Sequence, residues 1–317
     1  GERGLKALIF NFSFRNFDPK KRVILSTEEL TSLFHFPNVA LEIPHIRGIK
    51  AREAPAPANL PGEGLLLGYN VFRGGKTEVR LLNEDRRRHF YLIGQTGTGK
   101  SVLMKNLAIQ DIEAGRGVCF IDPHGDAVEE LLGFIPRHRF QDVIYFNPAD
   151  MERPMGLNML DYDPAFPEHK TFIVNELFKI FQQLYGAVPE ALGPIFEQYF
   201  RNAAMLVMDD PKSGNTLLEI SRVMAEKTFR DLKLSRAKNI VVKNFWTEIA
   251  EKAGGEAELQ NVVPYITSKF DVFLANEIMR PIVAQEKSAF NFREVMDNQR
   301  ILLVNLSKGR LGDLNSS

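Results

Sequence analysis

Eight consecutive residues, "GQTGTGKS" from Gly94 to Ser101, carry the most specific chemistry in this chain. They satisfy G-x-x-x-x-G-K-[ST] at every fixed position. Gly94, Gly97 and Gly99 let the backbone curl so that successive N–H groups, those of Gln95, Thr96 and Thr98 among them, point inward at phosphate oxygens. A helix opening near Lys100 adds its positive dipole end. Lys100 is placed to reach the β- and γ-phosphates, and Ser101 to set its hydroxyl on Mg²⁺. The competing reading, a glycine-rich turn with an incidental lysine, loses because pattern and context agree. The spacing predicts a nucleoside triphosphate site.

Fast hydrolysis needs in addition a carboxylate on the metal shell, commonly closing an apolar strand beside the phosphate loop. "VCFID" offers Asp122, directly after the helix and continuing into "PHGD". "AMLVMDD" offers Asp209 and Asp210, but it ends a helical pattern that opens at "GP", residues 193–194. "ILLVN" has the strand and presents Asn305 instead. Beyond these three, the expectation is an acid lying past Ser317. For "DPHGD", Asp122, His124 and Asp126 face the ligand crevice of a parallel sheet in one reading. In the other they form a proline–glycine turn whose aspartates cap backbone N–H groups. Both stand at this point, and His124 alone reads as structural.

These residues need a scaffold. From His89 the pattern runs strand ("HFYLIG"), loop, helix ("SVLMKNLAIQDIEAG"), strand ("GVCFID"), with "DVIYFNP" a further strand. That alternation predicts an α/β fold, a mostly parallel sheet with helices on its faces. Ahead of it, "GLLLGYNVF" and "KTEVRLL" flank "RGG" as a β-hairpin, so residues 62–164 read as hairpin plus phosphate-loop half of the core. Residues 165–295 carry long helical patterns and read as a mainly helical insertion, after which "RILLVNLS" returns to the sheet within 296–317. Residues 1–50 form an α+β segment. In it "LKALIFNFSFRNF" partly alternates as a strand, and "STEELTSLFHFP" has Ser26 and Glu29 spaced as a capping box with Pro37 as a stop. "AREAPAPANLP", 51–61, is a stiff proline–alanine linker.

Composition bounds the rest. The 317 residues suffice for one large domain or two ordinary ones. Lysine plus arginine and aspartate plus glutamate each number 40, so no global field draws the chain to nucleic acid or an anionic membrane. No apolar run approaches the roughly 20 residues of a membrane span. The single cysteine, Cys119, reads as a small buried hydrophobe in a reducing compartment. The start lacks a signal-peptide layout and a methionine, and the expectation is a piece of a longer protein. Arg86, Arg87 and Arg88 fit either a neighbour's nucleotide or DNA, or a charged turn. "KLSRAKNIVVKNFW", with Lys233, Arg236, Lys238, Lys243, Phe245 and Trp246, fits either a DNA backbone or a basic amphipathic helix with an aromatic core face. Lys308 and Arg310 share that ambiguity.

Four stretches together resemble the FtsK/HerA superfamily: "RRRHFYLIGQTGTGKS", "VCFIDPHGD", "VIYFNPAD" with "GLNML", and "NFREVMDNQRILLVNLSKGRLGD". Within it they look most like the coupling-protein ATPases of type IV secretion and conjugation (the TraD/TraG type) and HerA-like helicases. The resemblance covers about residues 60 to 317. It implies a RecA-like P-loop NTPase that binds ATP and Mg²⁺ and assembles as a ring, usually a homo-hexamer. Such a ring moves DNA, without sequence preference, or a protein–DNA substrate, through its centre, and can work with type IV secretion machinery. It also implies Lys100 and Ser101 as catalytic groups, with Asp122 a further candidate for catalysis and metal. The location is cytoplasmic, or the inner face of the membrane through segments outside this chain. The family's Walker B segment, sensor strand and arginine finger resemble nothing before Ser317. A nucleotide-binding assembly or recruitment module that does not pump remains the alternative.

Overall fold

The computed structural model describes residues 2–16, 26–27, 53–186, 192–250 and 255–311. The chain divides into two units, residues 1–56 with 71–75 and residues 57–70 with 76–317. Most of the capping box at Ser26–Glu29 and its stop at Pro37 lie outside the described residues.

In the first unit, α1 spans Glu2–Ser13. The alternation in "LKALIFNF" predicted a strand, and the structure has a helix. The same residues also satisfy helical spacing, since Leu5, Leu8, Ile9 and Phe12 stand at i, i+3, i+4 and i+7. A helix satisfies its backbone locally, whereas a strand needs a partner ladder. The linker residues from 53 to 61 carry neither helix nor strand.

The hairpin forms as expected: β1 (Leu65–Phe72) and β2 (Gly75–Leu81) make a two-stranded sheet. Beyond it, α2 (Lys100–Glu113) follows the glycine loop, then β3 (Val118–Asp122), α3 (Asp126–Leu132) and β4 (Val143–Phe146). A helical run follows with α4 (His169–Tyr185), α5 (Pro194–Asp209), α6 (Leu217–Ala225) and α7 (Lys227–Arg236). It continues through α8 (Ile240–Asn244), extended as a π-helix over Phe245–Ala250, α9 (Gly255–Thr267) and α10 (Phe292–Asp297). The chain then returns as β5 (Ile301–Asn305).

The second sheet has order β3-β5-β4, and both pairings are parallel. Val118 and Val143 both stand opposite Ile301, so the three strands start level. Every residue of β5 is buried, which explains its uninterrupted apolar run. Ile301 and Leu303 face Ala108 and Ile112 of α2, Phe120 of β3 and Val128 and Leu131 of α3. Leu302 and Val304 point the other way, into the cluster built by the helical run. In that run Val174, Leu177, Phe178 and Phe181 form one stripe of α4 at i, i+3, i+4 and i+7. Phe181 lies 5.3 Å from Phe200 and 5.0 Å from Phe270 between ring centroids.

Two expectations fail at the edge of this sheet. "HFYLIG" forms no strand, and Phe90, Tyr91 and Ile93 are exposed. An apolar run becomes a strand only by pairing, and among the described residues no strand pairs with it. Cys119 is likewise exposed rather than buried, because on β3 only Phe120 and Asp122 turn to a covered face while Cys119 and Ile121 turn away.

Candidate nucleotide site

The glycine loop is shaped by its backbone. Gly97 and Gly99 take φ of +83° and +92°, the left-handed region that side-chain-bearing residues avoid. A Cβ at either would meet nothing within 4 Å, so their glycines answer a conformational demand and not a packing one. Gly94 is the opposite case, since a Cβ there would stand 2.5 Å from Thr98 Oγ1. Thr98 donates both its N–H and its hydroxyl to the Gln95 carbonyl, at 3.2 and 2.7 Å, closing the turn. Gly99 is the N-cap of α2, so the helix's first N–H groups open onto the loop.

Lys100 lies back across the loop. Its Nζ donates to the Gly94 and Gln95 carbonyls at 2.8 and 2.9 Å. To meet a triphosphate the ammonium must exchange these two carbonyls for phosphate oxygens. Ser101 is exposed one residue further into α2, and Gln95 and Thr96 are exposed with it. The residues present therefore fit a triphosphate: an open loop with two left-handed glycines, a long helix start, a movable cation and a free-standing hydroxyl.

The far end of α2 is held by buried charge. Asp111, 5% exposed, takes Arg86 through both carboxylate oxygens and Arg116 Nε at 2.5 Å. Arg86 is thus the anchor of the turn that leads into the loop, while Arg87 and Arg88 remain exposed. Gln110 makes a reciprocal pair with the backbone of Leu66, ties of 2.8 and 3.0 Å that fix α2 to β1. Arg139, also 5% exposed, donates to the Ile112, Arg116 and Gln299 carbonyls, joining the end of α2 to the starts of β3 and β5. Lys105 pairs with Glu130, tying α2 to α3.

At the carboxyl ends of the strands, Asp122 is buried and accepts from the His124 and Ala127 N–H groups, 2.9 Å each. His124 and Asp126 of the same turn are exposed. The "LSKGR" segment lies on this turn through Leu306 N–H to Asp122 O and Lys308 N–H to Pro123 O, at 2.9 and 3.1 Å. Sequence reasoning missed the contact that joins the two strand ends. Gly125, φ +91°, leaves room for Asn305, whose Oδ1 a Cβ there would approach to 2.5 Å. Asn305 accepts from Ser307 N–H and donates to Tyr145 Oη at 2.9 Å and toward Glu129 Oε1 at 3.5 Å. The legible signal was an asparagine closing a fully apolar strand.

The other carboxylate candidates sit in the helical run. Asp209 accepts from Lys170 Nζ and from the Lys238 and Asn239 N–H groups, all at 2.8 Å. Burial raises its pKa, but these bonds outweigh burial and hold the carboxyl below the ordinary range. Lys233 is fully buried, its Nζ donating to the Val207, Asp210 and Gly214 carbonyls at 3.2, 2.7 and 2.5 Å. Desolvation lowers its pKa to about 8. Phe245 and Trp246 are buried too. So the aromatic side of "KLSRAKNIVVKNFW" is core, and Lys233 cannot meet a phosphate backbone. Among the described residues no group of three or more metal-ligating side chains occurs, and no helix is long and apolar enough to cross a membrane.

The chain is similar to one solved structure of a bacterial conjugative coupling protein, TrwBdeltaN70, with 18% identity and a TM-score of 0.37. That likeness covers 67% of this chain and 44% of the other, so the chain spans less than half of the coupling protein's length. No curated protein matches it. Residues 70–239, more than half of the 317, match the family model described as the central domain of helicase HerA. Both the glycine loop and the "DPHGD" turn fall inside that match, and the chain belongs to the HerA central-domain family.

Proposed function

We propose that this chain is the ATP-binding motor core of a ring-forming translocase that moves DNA, or a protein–DNA substrate, in the manner of HerA-type helicases and coupling proteins. Membership of the HerA family supports a nucleotide-driven motor. The observation that carries the reading to these residues is the pair of left-handed glycines, Gly97 and Gly99, directly ahead of a 14-residue helix bearing Lys100 and Ser101. In this reading the loop's backbone N–H groups cradle the phosphates, apart from that of Thr98, which donates to the Gln95 carbonyl. Lys100 would neutralise charge on the β/γ-phosphates, and Ser101 would offer its hydroxyl to Mg²⁺. The metal, when bound, would supply further positive charge against the charge that develops in phosphoryl transfer. Residues 165–295 act as a helical insertion beside the motor. The functional ring is a homo-oligomer, a hexamer, with DNA held by its phosphates and not read by sequence.

The alternative, a nucleotide-binding assembly or recruitment module that does not pump, draws on one observation. Both oxygens of Asp122 accept backbone N–H bonds, so the best-placed acid already has a capping duty. Hydrolysis measured with and without DNA separates the two readings. A motor hydrolyses faster on DNA, and an assembly module binds ATP with no DNA response.

A further inference from the structure

A cleft of about 770 Å³ opens on the helical run, lined by residues that none of the nucleotide chemistry uses. Five aromatic side chains line it: Tyr162, Phe166, Phe172, Phe290 and Phe292. Phe166, Phe172 and Phe292 are 48%, 63% and 54% exposed, a concentration of bare ring surface that soluble proteins keep for contacts. The walls are preformed. Asn158 is buried and donates to the Asn215 and Glu286 carbonyls while accepting from Leu160 N–H, each at 2.9 Å. Phe290 packs edge-on against Phe146 at the end of β4 and against Phe292, with centroids 6.0 and 5.1 Å away. Phe166 stacks on His169 at 5.1 Å.

The polar rim decides the occupant. Asp161 and Asp163 line the cleft, Glu168 is exposed beside it, and none of the three forms an ion pair among the described residues. Of the cations at the cleft, Lys170 is held by Asp209, while Arg293 lines the cleft and meets the exposed Asp297 at 3.5 Å, which leaves one arginine against three carboxylates. That excess of carboxylates around an aromatic floor disfavours phosphate and attracts lysine and arginine, whose head groups also favour ring faces. We propose that this cleft docks a short basic peptide segment of a partner protein. An aromatic or aliphatic side chain of that segment fills the ring-lined floor, and flanking lysine or arginine lies over Asp161 and Asp163. Its size suits such an anchor, within the roughly 300–1,000 Å³ of ordinary ligand sites.

The test is fluorescence anisotropy on the whole chain with a labelled octapeptide that has a Phe-Leu centre flanked by lysine and arginine. A copy with glutamate flanks and a labelled oligothymidylate serve as comparisons. The basic peptide should bind at least about tenfold tighter than the acidic one, and raised salt should weaken it. Phe172→Ser and Asp161→Lys should each weaken it about tenfold, the scale of a well-placed anchor. Both side chains are exposed, so both variants should melt close to wild type. Lys100→Ala should leave peptide binding unchanged, which separates this site from the nucleotide site. Equal affinity for basic and acidic peptides, or no effect of Phe172→Ser and Asp161→Lys, would overturn the proposal. So would oligothymidylate binding that Phe172→Ser abolishes, which makes the cleft a nucleic-acid site. Self-association lost in Phe172→Ser would overturn it as well, in favour of a second copy of the chain.

Discussion

Replacing Lys100 with alanine isolates the cation of the glycine loop. In the structure its ammonium holds two loop carbonyls, Gly94 O and Gln95 O. Binding a triphosphate exchanges these for phosphate oxygens, so the gain on binding is a difference. Hydrogen bonds to neutral carbonyls contribute about 0.5–1.5 kcal/mol net, and charge-assisted bonds to an anion about twice that. Two such exchanges leave about 1–3 kcal/mol in favour of the bound state, a range centred on roughly ten- to a hundredfold in affinity. The glycines and the helix start are untouched by the substitution, so the phosphate nest itself persists. Lys100→Ala should therefore bind a fluorescent ATP analogue ten- to a hundredfold more weakly in titration, with a melting temperature close to wild type because the side chain reaches no buried partner. Equal affinities in the two proteins would refute the placement of the triphosphate on this loop.

Gly125→Ala combines a left-handed φ with a Cβ 2.5 Å from Asn305 Oδ1, so it should destabilise the protein by about 1–3 kcal/mol in urea melts. Asp122→Asn leaves one of two capped N–H groups facing an amide N–H. Stability should fall by about 1–3 kcal/mol while Mg-ATP affinity barely changes, and a large loss of affinity with unchanged stability would make Asp122 a metal ligand. Lys233, with a folded pKa of about 8 against 10.5 for an ordinary lysine, binds its proton less readily in the fold than in the unfolded chain. Its contribution to stability should therefore rise from pH 8 to about 10.5 and stay flat below 8. Melting curves of wild type and Lys233→Met across that window check this, because the variant should lack the rise.

The shape of the loop was legible because a turn into a helix demands glycine at fixed separations, and Gly97 and Gly99 take the left-handed φ with the helix opening at Lys100 directly after them. The stripes of α4 and α5 were legible for a similar reason, since a helix completes its own backbone bonds and shows its buried face as a period. Strands were harder. "ILLVN" and "VIYF" pair and were read correctly, whereas "HFYLIG" has the same composition and no described partner. Pairing is non-local and leaves no mark in a single run. The exposure of Cys119 follows from its place on an edge strand with one bare face, another property of the neighbourhood. The burial of Lys233 beneath three carbonyls and the fit of Asn305 over Gly125 depend on chain segments that meet only in the folded protein.

The motor reading is tested most directly by the rate of ATP hydrolysis by the intact protein with and without DNA. The account predicts Mg²⁺-dependent turnover that rises when DNA of arbitrary sequence is added, and the loss of that turnover in Lys100→Ala. Turnover that is indifferent to DNA, or that survives Lys100→Ala unchanged, would contradict it.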